Sequence, residues 1–412
     1  IVDLSTGECR EVTRTHTWNY PMGARQQWIG DSDQFTCNDR GEDGCLISLV
    51  CDAREGKLQG KLPFPIHCIE SKTRKAFFVN YDRLHRLGAY GYCGGRDEFG
   101  DDDIPTRDGV WIGDMDSGNT QLLVSIMDVA RCGEPHPVIT GYPHYVTHLS
   151  LNPSGTRLAF LHQYRVRDGG DISRLMTVGV DGSGLRCLTK GLASHFDWVD
   201  DEHIFFWGFH NPKRSAIRES PRLANPCYRI AFGMAKQAYR MIRYIRLGGK
   251  TENMISHGTD TYGVLLAKDS EWEETPDLRN VKPDQTEDIH PMANPVFGNW
   301  LVHDTYPDAE GYRTLSLYDY VDGESILIAR LRRMFAEPDA KGEWVPKALE
   351  GVDKKILRDF SLKNYLFTRS GFHCDFHPRW SSEGKVVYFD STHEGSRQVY
   401  CCDVSEVVCL KS

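Results

Sequence analysis

No apolar run among the 412 residues approaches the length of a membrane span, so no membrane partner is expected. There is no Gly-rich phosphate loop and no Gly-x-Ser-x-Gly elbow, which removes the usual nucleotide-binding and serine-hydrolase signatures. Gly182 and Gly184 belong to a hairpin turn. No carboxylate pair stands at a spacing that marks acid–base work; Asp39 and Asp197 are the only pair to nominate for glycoside hydrolysis. The net charge is −9 and no basic stripe is present, so a nucleic-acid partner is not expected. An anionic ligand would have to be held by local Arg and His. The 13 cysteines stand at irregular spacings, with Cys401 and Cys402 adjacent, and fit no disulfide framework. Ile1 is not followed by the charged and apolar regions of a signal peptide. A periplasmic or secreted protein is expected if such a peptide has been removed, and a cytoplasmic one otherwise.

What the chain has in abundance is short strands. Apolar residues make up 40%, with nine Trp and 18 Tyr, which suits sheet faces and carbohydrate platforms better than a helical bundle. Gly371 to Asp403 spells out one unit: His377-Pro378-Arg379-Trp380 enters a strand, Ser382-Glu383-Gly384 turns, and strands follow over 385–390 and 398–403. His148 to Phe160 has the same form around Ser154-Gly155, and Ser194-His195-Phe196-Asp197-Trp198 and His290-Pro291 open further copies. Recurrence of this kind predicts an all-β chain, a single seven-bladed β-propeller domain over 1–412 with blades of roughly 40–50 residues. Residues 1–20 are expected to form a strand that completes the last blade. Small helical insertions are expected at about 209–247, where Ala231 to Arg246 suits a basic amphipathic helix, and at 331–370.

Two groups of side chains carry potential chemistry. His290, His303, Cys374 and His377 come from successive units and offer the donor types of a four-coordinate zinc site, with His373 as a substitute. A histidine that opens a blade strand also serves as a hydrogen-bonded core group, so the Cys in the same loop is what points to metal. His144, His148, His162 and His195 form the second group, at strand entries and ends that can converge on the central funnel. Arg40, Arg86, Arg165, Arg174 and Arg229 are candidate anion clamps, and Tyr90, Tyr164 and Tyr228 are candidates for proton transfer. Asn38-Asp39-Arg40 and Leu84-His85-Arg86 stand at strand–loop junctions.

The phrases from His144, Ser194, Asp304-Thr305-Tyr306-Pro307-Asp308 and Cys374-Asp-Phe-His-Pro-Arg-Trp-Ser resemble the oligogalacturonate-lyase-like propellers, a group that includes the ulvan lyases. The likeness runs from about Gln27 to Asp403, without the insertions. It implies a polysaccharide lyase that cleaves an anionic uronate glycan by β-elimination, acting as a monomer or small homo-oligomer. In the family a divalent metal is held by His and Gln. Here His290 and His377 match metal ligands, Cys374 stands in place of a Gln, and Arg379 in place of another His. That departure favours the Cys/His zinc site of ulvan-lyase relatives, where the metal is structural. His195 resembles the active-centre His, and Arg174 the Arg base. The ulvan-lyase set of two His, one Tyr and one Arg would be His144, His162, Tyr228 and Arg229 or Arg243. Asn38, Arg40, His85, Arg86, His148, Tyr164, Arg229 and Arg243 are the expected substrate contacts. A hydrolase on the same scaffold, or a binding propeller without catalysis, is the alternative.

Overall fold

In the computed structural model the described residues are 1–412 without 4–5, 20, 134–141, 167–169, 247–261, 272–276, 283–284, 286, 333–349, 355–373 and 410–412. His373 and most of the 331–370 insertion therefore lie outside the described residues.

Antiparallel meanders follow one another along the chain. The first is β1 (Gln27–Trp28), β2 (Gln34–Arg40), β3 (Leu46–Asp52) and β4 (Lys57–Leu62). The second is β5 (Cys68–Glu70), β6 (Lys75–Val79), β7 (Gly109–Asp114) and β8 (Thr120–Ser125). Then come β9 (His144–Leu151), β10 (Arg157–Arg165), β11 (Asp171–Gly179) and β12 (Arg186–Cys187), followed by β13 (Gly191–Trp198), β14 (His203–His210), β15 (Gly263–Lys268) and β16 (Leu278–Lys282). A single pairing, Ser173 with Gly191, fuses these two into one sheet. The fifth unit is β17 (Met292–Ala293), β18 (Trp300–Asp304), β19 (Tyr312–Asp319) and β20 (Glu324–Arg332). The sixth is β21 (Arg379–Trp380), β22 (Val386–Ser391) and β23 (Gln398–Asp403), closed by a short helix over Ser405–Cys409.

The described residues thus supply six blade-like units, where the count from length gave seven. The described part of residues 1–20 forms no strand in the last unit, where one was expected. Beyond one isolated bridge between Val2 and Cys9, they lie against the first unit, where the Asp39 carboxylate accepts from the His16 amide (2.8 Å) and the Thr15 hydroxyl (3.2 Å).

Repeat residues do the same structural job in different blades. Trp198 and Trp380 each stand three residues after a blade-entry histidine. Their indole N–H groups donate to the entry strand of the preceding unit, at the Ser150 and Met292 carbonyls, both at 3.1 Å. Gly155 and Gly384 make the turns with φ of 73° and 66°. A Cβ on Gly384 would lie 2.3 Å from Asn294 Oδ1, so this turn needs glycine on two counts.

Apart from the Ser405–Cys409 helix that follows β23, the described helices sit in connections between strands. α1 (Tyr81–Arg86) is capped by Asn80, and α2 (Ile126–Arg131) starts on a Ser125–Asp128 capping box. α3 (Pro212–Arg218) is capped by Asn211 with Pro212 at its first turn. The helix expected from Ala231 begins earlier, giving α4 over Pro226–Arg246. Because His210 pairs with Gly191, the α3–α4 insertion leaves from the end of the sheet where β13 begins.

Candidate functional site

The segments that lead into the six units share one cavity of about 480 Å³. Its lining includes Arg25, His67, His148, His195, His290 and His377, one from each unit in chain order. Four of the imidazoles form an arc. Ring centroids are 6.4 Å apart for His148–His195, 4.0 Å for His195–His290 and 4.2 Å for His290–His377.

Local backbone irregularity aims these side chains inward. Between Thr147 and Ser150 two residues, His148 and Leu149, face the single residue Phe160. Between Ala193 and Phe196, Ser194 and His195 face Trp207 alone. Each is a β-bulge, the device that re-aims a side chain next to a site. Arg25, His148 and His377 also have φ of 52°, 57° and 40°. A left-handed backbone at a non-glycine residue costs of order 1–3 kcal/mol, and three such residues share this cavity.

His195 carries a catalytic type of arrangement. Its Nδ1 lies 3.1 Å from Asp288 Oδ1, and the Ser194 hydroxyl donates to Asp288 Oδ2 at 2.8 Å. Burial would favour the neutral ring, but the Asp288 carboxylate outweighs it and raises the His195 pKa. His148, without such a partner, is pushed down to about 3 by burial and then by the neighbouring His195 and Arg25. The two rings are therefore driven apart in basicity, the usual mark of separate proton-transfer roles.

The metal-ligand group differs from the expected one. His290, Asp375 and His377 each place one ligand atom within 4.8 Å of the other two. Cys374 and His303 do not belong to this group. The reason is the period of two in an extended chain. Asp375 and His377 face the cavity, so Cys374 and Phe376 turn into the core, where burial raises the Cys374 thiol to about 11. Likewise Asp304 faces His290, and the preceding His303 does not; its Nδ1 lies 3.1 Å from the Asp304 carbonyl. The set of two imidazoles and one carboxylate fits a divalent transition metal, and among the described residues Cys374 joins no group of metal ligands. His290 Nδ1 is 2.7 Å from Asp304 Oδ1, which leaves Nε2 to ligate. Arg313 Nη1 pairs with Asp375 Oδ1 at 2.7 Å.

Other expected site residues lie elsewhere. His144, His162, Tyr164 and Arg174 gather in the third unit, all at most 3% exposed. His144 Nδ1 lies 3.0 Å from His162 Nε2, His144 stacks on Tyr164, and the Tyr164 hydroxyl donates to Glu219 at 2.5 Å. Glu219 also pairs with buried Lys190 at 2.7 Å, and Arg174 donates to the Val129 carbonyl at 2.6 Å. This cluster comes from three adjacent strands of one sheet and is not part of the cavity lining. Asn38 is buried and bridges Ser48 and Ile66, while Arg40 pairs with Asp82. His85 contacts the Glu350 carbonyl and Arg86 pairs with Asp97. Tyr228 and Arg229 are exposed on α4, which also contains Arg243. Asp39 and Asp197 are not brought together: Asp39 holds the N-terminal segment, and only Asp197 lines the cavity.

Arg25, Asp288, Asp304, Tyr306 and Asp375 belong to the site or support it without having been expected there from the sequence. Two of these, Asp288 and Asp375, stood in view, because Asp-x-His-Pro occurs at both 288–291 and 375–378 and places Asp and His on one side of an entry segment. The repeat lends Arg25 no signal.

No protein-family profile matches the chain, and no curated protein matches it by sequence. Among solved structures, an oligogalacturonate lyase in complex with manganese aligns at 13% identity and a TM-score of 0.45, over 96% of this chain and 91% of that one. The β-propeller domain of the Trilobed protease from Pyrococcus furiosus, described as having an open velcro topology, aligns at 10% and 0.45, over 95% and 82%. An oligogalacturonate lyase from Vibrio parahaemolyticus aligns at 12% and 0.39, over 98% and 96%. At these levels the functional reading rests on the residues of the site itself.

Proposed function

We propose that this chain is a polysaccharide lyase that cleaves the O4 linkage at a uronate residue by β-elimination. The observation that carries the reading is one cavity shared by a carboxylate-held histidine, a metal-ligand group and two arginines, Arg25 and Arg379.

The chemistry asks for three things. The C5 proton of a uronate is weakly acidic, and its removal develops negative charge on the neighbouring carboxylate, which needs fixed positive charge. Arg25 and Arg379 supply it from the cavity wall. A base must take the proton: His195, with Nδ1 held by Asp288, presents Nε2 for this. Tyr306 keeps its proton at neutral pH, since burial and then the nearby Asp375 raise its pKa, and it returns a proton to the leaving oxygen. In the step the C5–H bond breaks and its proton goes to His195. The electron pair forms the C4–C5 double bond, the C4–O4 bond breaks, and O4 takes the Tyr306 proton. His290, Asp375 and His377 would hold a divalent cation, manganese or zinc by donor type. When bound, that ion supplies further charge neutralisation for the uronate carboxylate.

The test is to incubate the protein, with and without added divalent cation, with a panel of uronate polysaccharides and oligosaccharides. The ultraviolet absorbance of the new double bond is followed. A rise that His195→Ala abolishes is expected. New reducing ends without that absorbance would make the protein a hydrolase, and neither signal across the panel would leave a glycan-binding propeller.

A further inference from the structure

Helix α4 is chemically unlike the rest of the chain. It holds five of the 49 basic residues, Arg229, Lys236, Arg240, Arg243 and Arg246, and none of the 58 acidic ones. Arg229, Lys236, Arg240 and Arg243 follow at steps of seven, four and three, which stacks these positions along one side of the helix. Ile230, Met234, Met241 and Ile245 follow at steps of four, seven and four, along the other side. The apolar side is not packed on the body: Ile230, Met234 and Met241 are 63%, 69% and 65% exposed. A helix that merely solvates itself carries polar residues there, and a helix that stabilises the fold buries them.

We infer that α4 docks on an anionic lipid surface, lying in the plane of the headgroups. The two sides of the helix ask for different things from one partner. The aliphatic and thioether side needs an apolar medium, and the basic side needs dense negative charge without any carboxylate of its own nearby in the helix. An anionic bilayer interface offers both within one helix diameter. A glycan chain offers charge without an apolar layer. A second copy of this helix offers an apolar side but sets five cations against five. The basic residues keep α4 from spanning; among the described residues no helix is long and apolar enough to cross a membrane. Since the insertion leaves from the end of the sheet where β13 begins, docking would hold that end of the fourth unit close to the surface.

The experiment is co-sedimentation of the full chain with vesicles of phosphatidylcholine alone and of phosphatidylcholine with phosphatidylglycerol. Partition into the anionic vesicles only, weakened by added salt, is expected. The double variant Met234→Ser/Met241→Ser should lose at least about tenfold in partition, since two apolar anchors are removed. Its melting temperature and its activity in the cavity should be unchanged, because neither methionine belongs to the site. Equal partition into both vesicle types, no partition into either, or undiminished partition of the double variant would overturn the inference. So would a dimer in solution that the double variant dissociates while wild type ignores vesicles, which would show that a second copy covers the helix.

Discussion

Asp304 uses both carboxylate oxygens to join two ligand-bearing segments. Oδ1 accepts from the His290 amide at 3.0 Å and lies 2.7 Å from His290 Nδ1, and Oδ2 accepts from the Phe376 and His377 amides at 3.0 and 3.3 Å. One buried side chain on β18 thus sets the tautomer of His290 and holds the left-handed turn at His377. Burial alone would raise its pKa, but the His290 ring and then His377 outweigh that and leave the carboxyl at about 2.

Asp304→Asn should therefore weaken the metal group without touching a ligand. An amide nitrogen cannot accept the bonds that one of these oxygens takes. Divalent-cation affinity, measured by titration calorimetry with manganese and with zinc, should fall about 10–100-fold. Stability should fall by about 2–4 kcal/mol. Unchanged affinity would show that Asp304 only supports the fold.

Metal addition and removal provide a second check. Chelation followed by readdition of the ion should raise the melting temperature of wild type, since the ion binds only the folded chain. His290→Ala should abolish that rise, and Cys374→Ser should keep it. A rise lost in Cys374→Ser would restore the sulfur-ligated site.

His195→Ala should lower the lyase rate by about 10²–10⁴-fold with little change in melting temperature, because the ring lines a cavity. Asp288→Asn should follow it in part, through loss of the ring's orientation. His162→Ala should behave in the opposite way. It removes a side chain with no exposure from a packed cluster, so stability should fall by about 2–4 kcal/mol, read in urea unfolding. The sequence alone suggested a rate effect there.

Asp197 gives a pH dependence with a definite sign. Burial raises its carboxyl to about 6, partly offset by the Ala293 amide that donates to it at 3.0 Å. A folded pKa above the unfolded value of about 3.9 favours the neutral form. Its contribution is then fully present below pH about 4 and is lost as pH rises through about 6. Over that window wild type should lose about 1–3 kcal/mol relative to Asp197→Asn, measured by paired unfolding curves. Parallel curves would refute the shift.

The sequence by itself determined the repeating β-unit, its turns and its entry histidines. Those follow from period-two patterning, Ser-Gly turns and the recurring His-x-x-Trp spacing, all of which act over a few residues. It also marked α4 as a basic amphipathic helix. Only the tertiary structure decided which entry residues meet. Bulges at His148 and His195, and the alternation that turns Asp375 inward and Cys374 outward, change the direction of a side chain by one residue of register. Composition carries no record of that. His144 and His162 were expected in the site, yet their strand register pairs the two rings at 3.0 Å beside Tyr164 and Arg174, outside the cavity lining. The pairing of His195 with Asp288 spans 93 positions and exists because two neighbouring blades close on one cavity.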